Sequence, residues 1–235
     1  MIVAANLKTN LTRKETKEYI EKLSFKTEKF LSSTEVMVFP ATSSLDSFST
    51  QVIIGAQNSY PTKDGAFTGE IGLVHLQEFA IKTILIGHSE RRHILGETQE
   101  QIAKKFKFFQ ELGFKIVYCV GETKNERELG VDATLAYIKE QYNGIDTSYE
   151  NLIIAYEPVW AIGTGLVPTL EDIENIHTEL KQLSSAPLLY GGSVKLNNVK
   201  DIYNVPNVDG VLVGSAALRV EDFSAMVEIA NSISK

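Results

Sequence analysis

An α/β fold, a single (β/α)8 barrel of eight parallel strands spanning residues 1–235, is what this sequence predicts. Three observations carry that reading. Eight short, nearly continuous apolar runs recur along the chain, as expected of strands covered on both faces. One-sided helical patterns lie between them, and strict strand–helix alternation implies a parallel sheet. The turn after the first run, Asn6-Leu7-Lys8-Thr9-Asn10, has no glycine. An open, doubly wound sheet usually places G-x-G-x-x-G there.

The runs occupy residues 2–5, 36–39, 52–56, 84–86, 116–120, 152–156, 188–190 and 211–213. After the first, Thr12-x-x-Glu15 reads as a capping box opening a helix. Between the second and third runs there is space for a short helix around residues 42–49. After the fourth, Thr98-x-x-Gln101 caps a helix whose apolar face is Ile102, Phe106, Phe109 and Gly113. After the sixth, Thr169-x-x-Asp172 starts another, with Ile173, Ile176, Leu180 and Leu183 facing inward. Phe223, Met226, Val227, Ala230 and Ile233 mark the last helix. No linker or low-complexity tract divides the chain, and its length matches the roughly 250 residues typical of this architecture.

Composition narrows the function classes. With 43% hydrophobic residues the chain is too apolar for disorder. Its net charge of −7 argues against nucleic-acid or membrane-surface binding, which need a basic face. The single cysteine, Cys119, allows no intrachain disulfide and suits a reducing compartment. It sits inside an apolar run, where an inert core role is expected. No run approaches the roughly 18–20 apolar residues of a membrane span, and the N-terminus reads as a strand, not a signal peptide. A cytoplasmic protein with no membrane partner is expected.

In a parallel barrel the residues following the strands share one face, where barrel active sites lie. Here they are Asn6 and Lys8, Gln57 and Asn58, His88-Ser89-Glu90, Gly121-Glu122, Glu157-Pro158, Gly191-Gly192-Ser193 and Gly214-Ser215. A lysine, a histidine, carboxylates and two glycine turns on one face make a candidate site. The glycine turns suit an anion, because glycine admits close backbone approach and a following helix start offers free N–H donors. Lys8 complements a phosphate. Glu157 ends an apolar strand, where desolvation is expected to raise its pKa and make it a better base. His88 suits carbonyl polarisation or proton relay. His75, His93 and His177 read as packing residues. Together His88, Glu157 and Lys8 lack the H-x-x-x-H or cysteine-rich spacing of a metal site, so no metal is expected, and no cofactor is expected either. Gly163-Thr164-Gly165, with Pro158 and Pro168 at the edges, suits a rigid lid on hinges. Trp160, the only tryptophan, lies in that loop.

These residues resemble triosephosphate isomerases. The matching segments are Asn6-Leu7-Lys8, Gly55-Ala56-Gln57-Asn58, Gly65-Ala66-Phe67-Thr68-Gly69-Glu70, Ile86-Gly87-His88-Ser89-Glu90-Arg91-Arg92 and Cys119-Val120-Gly121-Glu122, then Tyr156-Glu157-Pro158-Val159-Trp160-Ala161-Ile162-Gly163-Thr164-Gly165, Tyr190-Gly191-Gly192-Ser193-Val194 and Leu212-Val213-Gly214-Ser215-Ala216. They run in family order across nearly the whole chain. The resemblance implies a TIM barrel that interconverts dihydroxyacetone phosphate and D-glyceraldehyde 3-phosphate through an enediolate, in glycolysis and gluconeogenesis. It implies Glu157 as base and His88 as electrophile, which in this family is kept neutral by a helix N-terminus. It implies Lys8 and Asn6 supporting the oxyanion and phosphate, with Glu90 organising Lys8. It implies phosphate binding by backbone N–H groups of Gly163, Ser193, Gly214 and Ser215. The lid would comprise Pro158, Val159, Trp160, Ala161, Ile162, Gly163, Thr164, Gly165, Leu166 and Val167. The loop over residues 57–70, with Phe67 and Thr68, would dock into a second copy of the chain, implying a homodimer.

The sequence departs from the family pattern in four places. Leu7 and Thr9 stand where tryptophan and methionine are usual, with packing consequences only. Leu166 replaces a lysine at the downstream lid hinge. Ser215 replaces a glycine of the last turn, keeping the N–H with tighter backbone angles. Two other classes fit the bare pattern: a lyase-type phosphate-binding barrel, which needs a roomier pocket, and a non-catalytic phosphate sensor, which need not keep both Glu157 and His88.

Overall fold

The structure is a computed structural model that describes residues 1–162 and 166–233. Its strands are β1 Ile2–Asn6, β2 Glu35–Phe39, β3 Ile53–Ile54, β4 Thr83–Ile86, β5 Lys115–Val120, β6 Leu152–Tyr156, β7 Leu188–Tyr190 and β8 Gly210–Val213. All pair in parallel, in the order β3-β2-β1-β8-β7-β6-β5-β4. The two ends of that order meet. Ala56 bridges Ile84, its N–H donating to Thr83 at 2.9 Å and its carbonyl accepting from Leu85 at 2.8 Å. The sheet is thus a (β/α)8 TIM barrel, with β3 contracted to two residues and a bridge in place of a full ladder.

The helices are α1 Arg13–Thr27, α2 Leu73–Glu78, α3 Ser89–His93, α4 Gln99–Glu111, α5 Lys124–Glu128, α6 Val131–Glu140, α7 Leu170–Leu183, α8 Val199–Tyr203 and α9 Val220–Ser232. Thr12, Thr98 and Thr169 each cap their helix as the spacing predicts, in reciprocal boxes with Glu15, Gln101 and Asp172. Two expectations fail locally. Gly113 lies outside α4 at φ +71°, where a left-handed residue ends the helix. The segment after β2 makes only a 3-10 turn over Thr42–Ser44.

Two apolar layers explain the continuous runs. Ala4, Met37, Phe39, Leu85, Val117, Cys119, Ile153, Ala155, Leu189 and Leu212 fill the barrel interior. Their strand neighbours, such as Val3, Val38, Ile84, Tyr118 and Ile154, face the helices. Alternate side chains therefore enter two different dry layers. Cys119 is a buried free thiol in the inner layer, pushed well up in pKa by burial, as an inert core cysteine should be.

Among the other histidines, His75 accepts the Gly72 N–H at the start of α2, and His93 is exposed on α3. His177 is fully buried on α7 against Tyr156 and Tyr190. Its Nδ1 lies 3.0 Å from the Asn207 carbonyl, which requires a proton on that nitrogen. Its Nε2 has no hydrogen-bond partner among the described residues. Burial pushes its pKa from 6.5 down to about 4. The unfolded chain therefore takes up this proton first. The contribution is full above pH 6.5 and is lost as pH falls toward 4. That loss is on the order of 3 kcal/mol. His177→Phe should flatten the acid limb of a urea-midpoint profile in that window; an unchanged slope would exclude this cause.

Candidate active site

The strand ends carry their polar residues to one rim because β1 to β8 all run the same way. A cavity of about 610 Å³ opens there, lined by Asn6, Lys8, His88, Glu157, Gly191, Gly192, Ser193, Gly214 and Ser215, with Ile162 at its edge. Seven of the nine residues expected to act on the substrate thus line one pocket: Asn6, Lys8, His88, Glu157, Ser193, Gly214 and Ser215, while Glu90 reaches it only through Lys8. Gly163 lies outside the described residues, as do Thr164 and Gly165 of the expected lid.

Glu157 follows β6 and is 2% exposed. Its Oε1 lies 3.1 Å from His88 Nε2, and its Oε2 accepts the Ser89 N–H at 2.9 Å. The backbone passes close to β5: a Cβ on Gly121 would sit 1.8 Å from the Glu157 carbonyl oxygen, so only glycine fits. The expectation of a raised pKa is corrected. Burial does push the carboxyl up, but His88, the Ser89 N–H and Lys8 together outweigh it and hold Glu157 below the ordinary glutamate value. Desolvation was legible at the strand end; the partners were not.

His88 sits at the cap position of α3, and its Nδ1 accepts the Glu90 N–H at 3.2 Å. A nitrogen that accepts carries no proton, so this bond favours a neutral ring with its hydrogen on Nε2, directed at Glu157. Burial lowers the imidazole pKa, while Glu157 and Glu90 raise it, and the carboxylates win. The second proton is thus favoured by the carboxylates and opposed by the α3 backbone donor.

Lys8 has φ +52°, a left-handed conformation unusual for a long side chain. Its backbone is held from both sides. Asn6 Oδ1 accepts the Lys8 N–H at 3.0 Å, and Gln57 Nε2 donates to the Lys8 carbonyl at 2.8 Å. The same Gln57 nitrogen donates to the Phe39 carbonyl at 2.9 Å, tying β1, β2 and β3 together at the rim. The ammonium meets Glu90 Oε1 at 2.6 Å and passes beside Gly214. Gln57 was visible as a strand-end polar residue, but nothing in its spacing indicated Lys8 as its partner.

The glycine turns differ from expectation. After β7 no helix begins until Val199. After β8 a 3-10 turn over Ser215–Leu218 starts at Gly214, and Gly214, Ser215 and Ala216 at its start line the cavity, where first-turn N–H groups have no partner within the turn. Ser193 donates its hydroxyl to the Ala161 carbonyl at 2.6 Å, joining the β7 turn to the segment after β6. That segment runs from Pro158 through a 3-10 turn over Val159–Ala161 to Ile162; Leu166 and Val167 are exposed beyond it. Glu122 is at the rim but does not line the cavity. It is buried beneath the turn, its Oε1 accepting from Trp160 Nε1 at 2.7 Å and from Tyr156 OH at 3.1 Å. Trp160 is therefore half-buried and hydrogen-bonded rather than plain core.

The family model described as triosephosphate isomerase matches residues 1–230. A curated triosephosphate isomerase of Sulfurimonas denitrificans is 62% identical over 235 residues, covering 100% of this chain and 98% of that one. One from Sulfurovum sp. (strain NBC37-1) is 55% identical, covering 97% and 99%. One from Helicobacter pylori (strain Shi470) is 46% identical, covering 96% and 97%.

Proposed function

The chain belongs to the triosephosphate isomerase family, and from that premise we infer how its residues interconvert dihydroxyacetone phosphate and D-glyceraldehyde 3-phosphate. The reaction is a step of glycolysis and gluconeogenesis. The observation that carries the assignment of roles is the Glu157–His88–Lys8 arrangement: a dry carboxylate, an Nε2–H donor and an ammonium around one cavity.

Glu157 takes a proton from the carbon beside the substrate carbonyl. The C–H electron pair forms the carbon–carbon double bond, and the carbonyl oxygen becomes the enediolate oxygen. His88 Nε2–H and the Lys8 ammonium stabilise that charge in a water-poor site. Glu157 then returns the proton to the neighbouring carbon, while His88 moves a proton between the two oxygens. A substrate oxygen that takes over the His88 donor also removes an influence holding the Glu157 pKa down. The base therefore strengthens as substrate arrives. Asn6 holds Lys8 in register, and Glu90 orients its ammonium. The phosphate is bound by the N–H groups of Ser193, Gly214 and Ser215, joined by that of Gly163. Residues 158–167 close over it, and phosphate contacts remote from the reacting carbons hold the lid shut. A coupled assay with glyceraldehyde 3-phosphate on the purified protein tests the reading; absence of turnover would overturn it.

The working form in this reading is a cytoplasmic homodimer of one-domain chains, 1–235. Among the described residues no helix is long and apolar enough to cross a membrane. The loop over residues 57–70 exposes Phe67, whose ring packs on Tyr60 at 4.5 Å, beside Thr68. On the same rim a groove of about 830 Å³ is lined by Asn6, Lys8, Gln57, Glu90, Arg91 and Leu95. Ile94 and Leu95 are 76% and 65% exposed. A second copy's loop in this groove would cover that apolar surface and close the site on the Lys8 side. Sedimentation over a dilution series should show a dimer, with activity lost as it dissociates; a fully active monomer would contradict it.

A further inference from the structure

Arg127, on α5, is engaged at two places that the sequence separates by a dozen residues. Its guanidinium carbon lies 5.7 Å from the centre of the Trp160 ring. Its Nη2 donates to Asp172 Oδ1. Trp160 is in the turn at the upstream end of the expected lid, and Asp172 is in the first turn of α7, just downstream of it. Arg127 therefore touches both ends of one segment while belonging to neither.

Each end is itself well held. Trp160 Nε1 donates to Glu122 at 2.7 Å, and the Glu122 carbonyl accepts the Val159 N–H at 3.0 Å. Asp172 Oδ2 accepts from the Thr169 hydroxyl at 2.8 Å and the Thr169 N–H at 3.1 Å. One carboxylate oxygen thus caps α7 and the other faces Arg127. Burial pushes the Asp172 pKa up, but Thr169 and Arg127 outweigh it and hold it down. The Arg127 side chain is about one quarter exposed, at 24%. A planar guanidinium can stack on a ring and pair with a carboxylate at once, which a lysine ammonium cannot do as well. Leu166 brings no cation to this hinge, so Arg127 is the charge that reaches Asp172.

We propose that Arg127 is a positioning residue for the reaction, clamping the Trp160 turn to the Asp172 end of α7 and so setting the spacing between the two lid hinges. The inference rests on the lid reading above and goes beyond it by naming a residue outside the lid that governs it. Arg127 touches neither the cavity nor the reacting atoms; it acts through Trp160 and Asp172.

Trp160 is the only tryptophan, so its emission reports one end of the clamp directly. Arg127→Met keeps the aliphatic stem and removes the guanidinium. Its emission maximum should shift, its response to added inorganic phosphate should change, and kcat should fall by about 3- to 30-fold, the range of modest coupling effects. Arg127→Lys should restore the melting temperature more fully than the Trp160 emission, because charge is kept and the planar face is lost. A purely structural ion pair would lower the melting temperature and leave emission, phosphate response and kcat alone, and that result would overturn the proposal. Should Arg127→Met fail to fold, Asp172→Asn carries the test, since it keeps an acceptor for Thr169 and breaks the pair; unchanged Trp160 emission there would also overturn it. An inactive wild type with a shifted Arg127→Met emission would refute the isomerase reading alone. An active wild type with no shift would refute this inference alone.

Discussion

Glu157→Gln should turn over glyceraldehyde 3-phosphate about 10²–10⁴-fold more slowly than wild type, or more slowly still, with a folded barrel. The amide has nearly the same shape and keeps an acceptor oxygen, but it cannot take a proton from carbon at neutral pH. Its structural effect is bounded by the contacts of the carboxylate. The two oxygens accept from Ser89 N–H and face His88 Nε2. An amide accepts on one side only, so one of these donors is left without a partner at a buried position. That costs about 1–3 kcal/mol of stability, which a barrel of this size tolerates. KM should move little, because the carboxylate acts on the transition state more than on bound substrate. Near-wild-type kcat would remove Glu157 from the mechanism.

Lys8→Met should be the second large loss, and it should show in both kcat and KM. The ammonium lines the cavity beside Gly214, and its removal leaves the cavity carboxylate of Glu157 uncompensated there and Glu90 without its ion-pair partner. Loss of one charge-stabilising donor is worth about 10²–10³ in kcat. The KM increase should be steepest at low salt, where repulsion between carboxylates and phosphate is least screened. The left-handed backbone at φ +52° remains clamped by Asn6 and Gln57, so the barrel rim should persist. Glu90 is 40% exposed, and losing its partner strands no dry charge. Unchanged kcat and KM would place Lys8 outside the site.

Much of this was readable along the chain. The continuous runs marked strands because both faces of each strand enter apolar layers. The threonine boxes marked helix starts because capping is settled within four residues. The polar residues after the runs pointed to one rim because parallel strands end on the same side. The failures share a cause. Gly113 continued an apolar spacing but ends α4, since its backbone, not its lack of side chain, decides its role. Glu157 was expected to be raised in pKa because its strand context is local. The groups that lower it, His88 and Ser89 at the start of α3 and Lys8 after β1, lie 68 or more residues away in sequence.

Glu122 shows the same division. Its position after β5 suggested a carboxylate at the site, but the packing turns it under Trp160 and Tyr156. Gln57 and Arg127 were ordinary polar residues until the fold brought Lys8 to one and both Trp160 and Asp172 to the other. By itself the sequence determined the alternation of strands and helices, the helix caps and the inventory of chemical groups at the strand ends, because periodicity and capping are short-range effects. Tertiary structure alone decided which of those groups face the cavity, which partner each has and which way each proton is biased. Hydrogen-bond distance and electrostatic balance depend on separation in space, and only closure of the barrel sets that separation.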